Sequence, residues 1–117
     1  MVERHGFTPN STDDYTYPEF RYGLHVIIAS VTGSATGYSR RAFFFVHRRY
    51  IGTDLADTSA IIRLDWRDDA TIALSYEIYK PDDAMCCPLG GAVTVRYHWT
   101  GTHLVTLDPI PSLTARR

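Results

Sequence analysis

The chain has two cysteines, and they are adjacent, in Cys86-Cys87-Pro88-Leu89-Gly90-Gly91. A thiolate can attack an electrophile, hold a metal or form a disulfide. Adjacent Cα atoms lie about 3.8 Å apart across a trans peptide, whereas ordinary disulfides span roughly 4.4–6.8 Å. A bridge between neighbours is therefore strained. The open readings are two reduced thiols, a vicinal disulfide, or reactive or metal-binding thiols. There is no Cys-x-x-Cys, and two adjacent thiolates are an awkward start for a tetrahedral zinc site. With Pro88 and the Gly90-Gly91 pair next to them, Cys86 and Cys87 read first as loop-shaping residues.

His98 and His103 are the second candidate. If Thr100-Gly101 is a two-residue turn, Trp99 pairs with Thr102 and His98 with His103. Their Cβ atoms would then be about 4.5–5.5 Å apart on one face. A metal held there needs a carboxylate or water as well; the alternative is two solvated histidines. The acidic pairs Asp13-Asp14, Asp68-Asp69 and Asp82-Asp83 fall in predicted loops, where loop solvation explains them ahead of calcium or acid–base chemistry. No Gly-x-Ser-x-Gly elbow, dinucleotide fingerprint or phosphate-binding loop occurs. No cofactor is expected.

The elements that would position these residues read as strands. In Ala70–Lys80 the apolar Ile72, Leu74, Tyr76 and Ile78 alternate with Thr71, Ala73, Ser75 and Glu77, a period of two. Val93, Val95, Tyr97 and Trp99 form a second apolar face, with Thr94, Arg96 and His98 opposite. Leu24–Val31 is rich in β-branched residues. Arg41–Val46 carries Phe43-Phe44-Phe45, apolar on both faces, as a strand covered on both sides requires. His47-Arg48 is a tight turn to a partner strand, 49–53. Asp54–Ser59 is a polar connection with room for one helical turn, Ile61–Trp66 a further strand, and Thr102–Asp108 the return strand before Pro109 and Pro111. The fold class is mainly β: a single curled antiparallel sheet or a small sandwich of six to seven strands, mostly joined by hairpins. The set expected to point inward is Ile72, Leu74, Tyr76, Ile78, Val95, Tyr97 and Trp99.

At 117 residues the chain is one domain by length. Residues 1–20 read as a flexible arm with an Asn10-Ser11-Thr12 glycosylation pattern and Tyr15, Tyr17 and Phe20 as docking points. Residues 21–111 form the β domain, and 112–117 a frayed tail. The net charge is −1, and Lys and Arg form no block, which argues against nucleic acid as a partner. No apolar run is long enough to span a bilayer, so no transmembrane segment is expected. The first residues form no signal region; a genuine start at Met1 would keep the chain in the cytoplasm, and a trimmed or mis-assigned start is the alternative.

Phe43-Phe44-Phe45, Tyr50-Ile51-Gly52-Thr53, the Cys86–Gly91 segment, Val95-Arg96-Tyr97-His98-Trp99-Thr100-Gly101 and Leu107-Asp108-Pro109-Ile110-Pro111 occur in an order that resembles the actinobacterial LppP/LprE lipoprotein family. The resemblance runs from about residue 24 to 111, and the Cys-Cys-Pro-x-Gly-Gly segment is its most specific part. It implies a small envelope domain tethered by lipid outside the cytoplasmic membrane, with no established reaction to carry over. The sequence holds no lipobox cysteine. The resemblance also adds a reading of Cys86 and Cys87, a family disulfide whose partner near the first strand is missing here. The function expected is a non-enzymatic envelope domain that binds a small apolar ligand, a lipid or another envelope protein. Phe43, Phe45, Tyr50, Tyr97 and Trp99 are its candidate walls, although the ordinary role of such rings is simply to fill the core. The alternative is a thiol- or metal-dependent activity of Cys86 or Cys87 with His98 and His103.

Overall fold

The computed structural model describes residues 6–9, 23–32, 39–47 and 49–117. Two antiparallel sheets face each other. The first has the order β1 (Phe7–Pro9), β2 (Leu24–Val31), β3 (Arg40–Val46), β4 (Arg49–Thr53). The second has the order β5 (Ile62–Arg67), β6 (Thr71–Glu77), β7 (Ala92–Trp99), β8 (Leu104–Thr106). Within each sheet every strand pairs with its sequence neighbour. Period-two alternation aims one face of each strand at the opposite sheet. Leu24, Val26, Ile28, Ala42 and Phe44 meet Ile62, Ile72, Leu74, Tyr76, Val95 and Tyr97 in the main core. The Phe44 and Tyr97 rings lie 5.1 Å apart at its centre.

The three phenylalanines of β3 divide as alternation requires. Phe44 enters the main core, while Phe43 and Phe45 point to the other face, where Phe7, Ile27 and Ala29 are also buried and Tyr50 packs against them. Of the set expected inward, Trp99 packs at the edge of the main core and Ile78 lies outside that cluster. Ile78 follows the end of β6, and its backbone serves the next loop instead: its N–H donates to the Gly91 carbonyl and its carbonyl accepts from Gly90.

Three local readings are corrected. The β7–β8 turn is longer than two residues. Trp99 pairs with Leu104 and His98 with Val105, because Thr100 closes a wider turn, donating its N–H to the His103 carbonyl and accepting from the His103 N–H at its hydroxyl. Residues 112–117 are not frayed. Leu113–Arg116 form one helical turn, α1, capped by Ser112, and Arg116 is only 4% exposed. Its guanidinium meets Asp57, the Ser59 hydroxyl and the Pro111 carbonyl, which the apolar-pattern reading gave no reason to expect. Nor does the arm lack order throughout: Phe7 is buried, and β1 pairs with β2. Asn10-Ser11-Thr12, Tyr15, Tyr17, Phe20 and Arg48 lie outside the described residues.

The segment 54–59 forms no helical turn; it starts by turning a carboxylate inward. Asp54 exchanges two bonds with Ala42, donating its N–H to the carbonyl and accepting the N–H at Oδ1, each at 2.9 Å. Its Oδ2 accepts from the Tyr76 hydroxyl at 2.7 Å, and the Tyr76 and Tyr97 hydroxyls are 2.5 Å apart. With Tyr76 donating to Asp54, Tyr97 donates to Tyr76. Burial pushes the Asp54 carboxyl above its ordinary range against the opposing pull of these hydrogen bonds. Burial also raises the phenols of Tyr76 and Tyr97, and the Asp54 charge adds to both shifts.

At the other end of the sheets, Gly23 (φ +69°) lets β2 start against the β5–β6 turn. The Leu24 N–H donates to the Asp69 carbonyl at 2.6 Å, and a Cβ on Gly23 would lie 2.1 Å from that oxygen.

A raised native pKa means that the folded state holds its proton more tightly than the unfolded chain. The contribution of Asp54 to stability is therefore greatest below its unfolded value and declines as pH rises through the native one. Urea titrations of the wild type and Asp54→Asn from pH 4 to pH 8 should show the stability difference shifting against the wild type as pH rises. A difference moving the other way, or constant across the range, would contradict the burial of this carboxylate.

Candidate functional site

The loop from Ile78 to Gly91 closes at its base, where the Gly90 N–H donates to the Ile78 carbonyl at 2.8 Å. A Cβ on Gly90 would lie 2.6 Å from that oxygen, so the approach needs glycine. Inside the loop Asp83 acts as an internal cap. One oxygen accepts from the Lys80 and Leu89 N–H groups at 2.8 and 2.7 Å, and these bonds hold its carboxyl below the usual range.

At the exposed tip Cys86 and Cys87 are joined to each other, with their Cα atoms 3.8 Å apart. This replaces the readings with free thiols or with a missing partner; neither cysteine is free. The bridge sits in a tight turn in which the Cys87 N–H donates to the Ala84 carbonyl at 3.0 Å. The Tyr79 hydroxyl donates to the Met85 carbonyl, tying the tip to the strand extension below.

The terminal turn grips this loop from the side. The Arg117 guanidinium donates to the carbonyls of Asp83, Lys80 and Pro81 at 2.6, 2.9 and 2.9 Å and lies 4.8 Å above the Tyr79 ring. The Tyr79 and Ala60 N–H groups donate to the Ala115 and Arg116 carbonyls, so α1 extends the backbone pairing of both segments. Between loop and turn runs a groove of about 640 Å³ lined by Tyr79, Pro81, Leu113, Thr114, Ala115 and Arg117. Leu113 is half exposed there, and Met85 and Leu89 are exposed on the cysteine loop.

The residues singled out in the sequence do not converge on this groove. Phe43, Phe45 and Tyr50 pack together on the outer face of the first sheet, with ring centroids 6.1 and 5.8 Å from Tyr50. Tyr97 and Trp99 lie on the opposite side of that sheet, in and beside the main core. The five rings therefore do not enclose one space, and Phe43, Phe45 and Tyr97 are buried as packing. His98 contacts the Thr71 hydroxyl at 2.9 Å and His103 the Thr102 hydroxyl at 2.8 Å. His98 is near the far end of β7, roughly 20 Å along the strand from the cysteine loop at about 3.3 Å per residue. Among the described residues no group of three or more His, Cys, Asp or Glu side chains is placed to hold a metal. The groove's second wall escaped the sequence reading. Its one available signal was the Arg116-Arg117 pair in the last turn of a Ser-capped segment.

The strand–loop–strand frame carrying the cysteine bridge coincides with a known pattern. The family model described as LppP/LprE lipoprotein matches residues 21–102, from the start of β2 to the turn after β7. The chain belongs to the LppP/LprE lipoprotein family. Comparison with curated proteins and with solved structures gives no match. Membership of the LppP/LprE family supports an envelope-lipoprotein role. No helix among the described residues is long and apolar enough to cross a membrane. The cysteine loop lies inside the matched span, whereas the α1 wall of the groove lies beyond it.

Two outcomes follow for the loop. Iodoacetamide should modify neither Cys86 nor Cys87 in the native protein and should modify both after phosphine reduction; alkylation without reductant would show free thiols. Replacing Asp83 with Ala should speed amide exchange at Lys80 and Leu89 and leave Leu74 and Val95 protected. Equal exchange at Lys80 and Leu89 in the two proteins would remove Asp83 from its capping role.

Proposed function

We propose that this chain is a non-enzymatic envelope domain that holds a small apolar ligand or lipid chain in the groove between the cysteine loop and the C-terminal turn. The observation that carries this reading is the groove itself. Its volume of about 640 Å³ falls in the range of small-molecule sites, roughly 300–1,000 Å³, which are mostly apolar with a few fixed polar groups. Tyr79, Pro81, Leu113 and Ala115 supply apolar wall, and Thr114 and Arg117 the polar groups. Arg117 is held in place by three carbonyls, so the wall it contributes is already ordered before a ligand arrives. Preorganisation of this kind lowers the entropy cost of binding. The exposed Leu89 and Met85 add apolar surface on the same loop, and an envelope setting supplies lipid chains as ligands. Family membership supports the setting, and the groove supports the activity.

The test uses dansyl-undecanoic acid as a fluorescent probe of the groove. Its emission should rise saturably with the wild-type protein. Thr114→Trp, which fills the groove, and Leu113→Asp, which charges its half-exposed wall, should each weaken binding by about tenfold, or roughly 1.4 kcal/mol. Both should leave the circular dichroism spectrum and melting temperature unchanged. Undiminished binding in both variants would sink the assignment of the groove.

A further inference from the structure

The outer face of the second sheet carries an exposed tryptophan. Strict alternation after Ile62 and Leu64 would send Trp66 inward. It does not go there. A bulge shifts the β5–β6 register between Leu64 and Trp66, so that Leu64 pairs with Leu74 and Trp66 with Ala73. The extra residue, Asp65, stands on the outer face, where its carboxylate accepts from the Thr94 hydroxyl. Bulges of this kind re-aim a side chain, and here the largest side chain available is turned outward. Trp66 is 45% exposed, and its indole N–H donates to no group among the described residues.

The row continues across the sheet. Trp66 pairs with Ala73, and Ala73 with Arg96. Ala73 between them is fully buried, so the indole and the arginine flank a covered position. Two strand spacings put their backbones roughly 10 Å apart, the reach of a disaccharide. Arg96 is fixed. Its Nε and Nη2 donate to the two carboxylate oxygens of Asp108 at 2.8 and 2.9 Å, and its backbone N–H donates to the same carboxylate at 2.9 Å. The arginine's hydrogen bonds lower the Asp108 carboxyl to about 2, so the pair stays ionised at any ordinary pH. Nη1 of Arg96 takes part in none of these bonds. Beside it, His98 is held by the Thr71 hydroxyl.

We infer that this face is a binding platform for an uncharged oligosaccharide, with Trp66 stacking against one sugar ring and the Arg96–Asp108 pair hydrogen-bonding the hydroxyls of the next. An indole offers a flat apolar plane to the C–H face of a pyranose. A locked guanidinium–carboxylate pair offers a donor and acceptors side by side, which suits neighbouring hydroxyls. Charge balance favours this uncharged occupant over an acidic one. The outward charged residues around Trp66 are Arg63 and Arg96 against Asp65 and Asp108, two of each sign, so no net field draws an anionic lipid surface or nucleic acid. The platform is independent of the groove; it would hold the domain on polysaccharide while the groove holds its ligand.

The experiment titrates the full chain with maltohexaose and with chitohexaose, measuring binding by isothermal titration calorimetry alongside tryptophan emission, and compares Trp66→Ala and Arg96→Lys. The lysine variant keeps the charge and loses the two-point contact with Asp108. At least one hexasaccharide should change the emission saturably. Arg96→Lys should weaken that binding by about tenfold, and Trp66→Ala should abolish it while Trp99 still emits and the melting temperature stays within about 2 °C. Dansyl-undecanoic acid binding should be the same in all three proteins, so a failed groove and a failed platform give different results. The inference is overturned if neither sugar binds, if Trp66→Ala binds as the wild type does, or if Trp66 instead proves necessary for binding phosphatidylglycerol vesicles or for self-association in sedimentation.

Discussion

The two sheets of this domain are held in register by one buried hydrogen-bonded chain, from the Ala42 backbone through Asp54 to Tyr76 and Tyr97. Apolar contacts are non-directional and would let two stacked sheets slide. The polar chain fixes the relative position of β3 and the β6–β7 pair, because a buried carboxylate or phenol left unpaired costs about 1–3 kcal/mol. Asp54 also sits where β4 ends and the chain leaves the first sheet for the second. The same residue thus ends one sheet and aligns the other. A buried carboxylate is expensive; the hydrogen bonds it accepts from the Ala42 N–H and the Tyr76 hydroxyl offset part of that cost.

A second set of polar anchors organises the end of the domain where the groove lies. Arg116 is buried against Asp57, Ser59 and the Pro111 carbonyl, and Arg117 reaches over the cysteine loop. These two consecutive arginines act in opposite directions. One pins the terminal turn to the segment between the sheets, and the other uses that turn as a base from which to hold the loop. Guanidinium groups suit this task because their donors form a rigid fork that can serve several acceptors together. The Cys86–Cys87 bridge stiffens the outer part of the same loop, and Asp83 its inner part. An exposed loop with this many internal restraints can present a preformed surface. An oxidising envelope is also the setting in which an exposed disulfide persists.

Much of this was legible in the sequence, and the reason is alternation. Leu24–Val31, the inward faces of β6 and β7 and the two-sided burial of Phe43-Phe44-Phe45 all follow from side chains pointing to opposite faces at every second residue. The Cys-Cys-Pro-x-Gly-Gly segment and the aromatic strand after it also carried the family. Tertiary structure decided whatever depended on a partner distant in the chain or on a break in the period. The bulge at Asp65 reversed the face of Trp66, and the wider turn closed by Thr100 moved His98 away from His103. The five aromatic residues read as one wall are separated by the thickness of a sheet, because residues on a two-sided strand share a sequence and not a face. The terminal arginines gave no periodic signal at all. Their roles exist only where Asp57, Ser59 and the carbonyls of the cysteine loop come within hydrogen-bond reach, and that proximity is made by the packing of the two sheets.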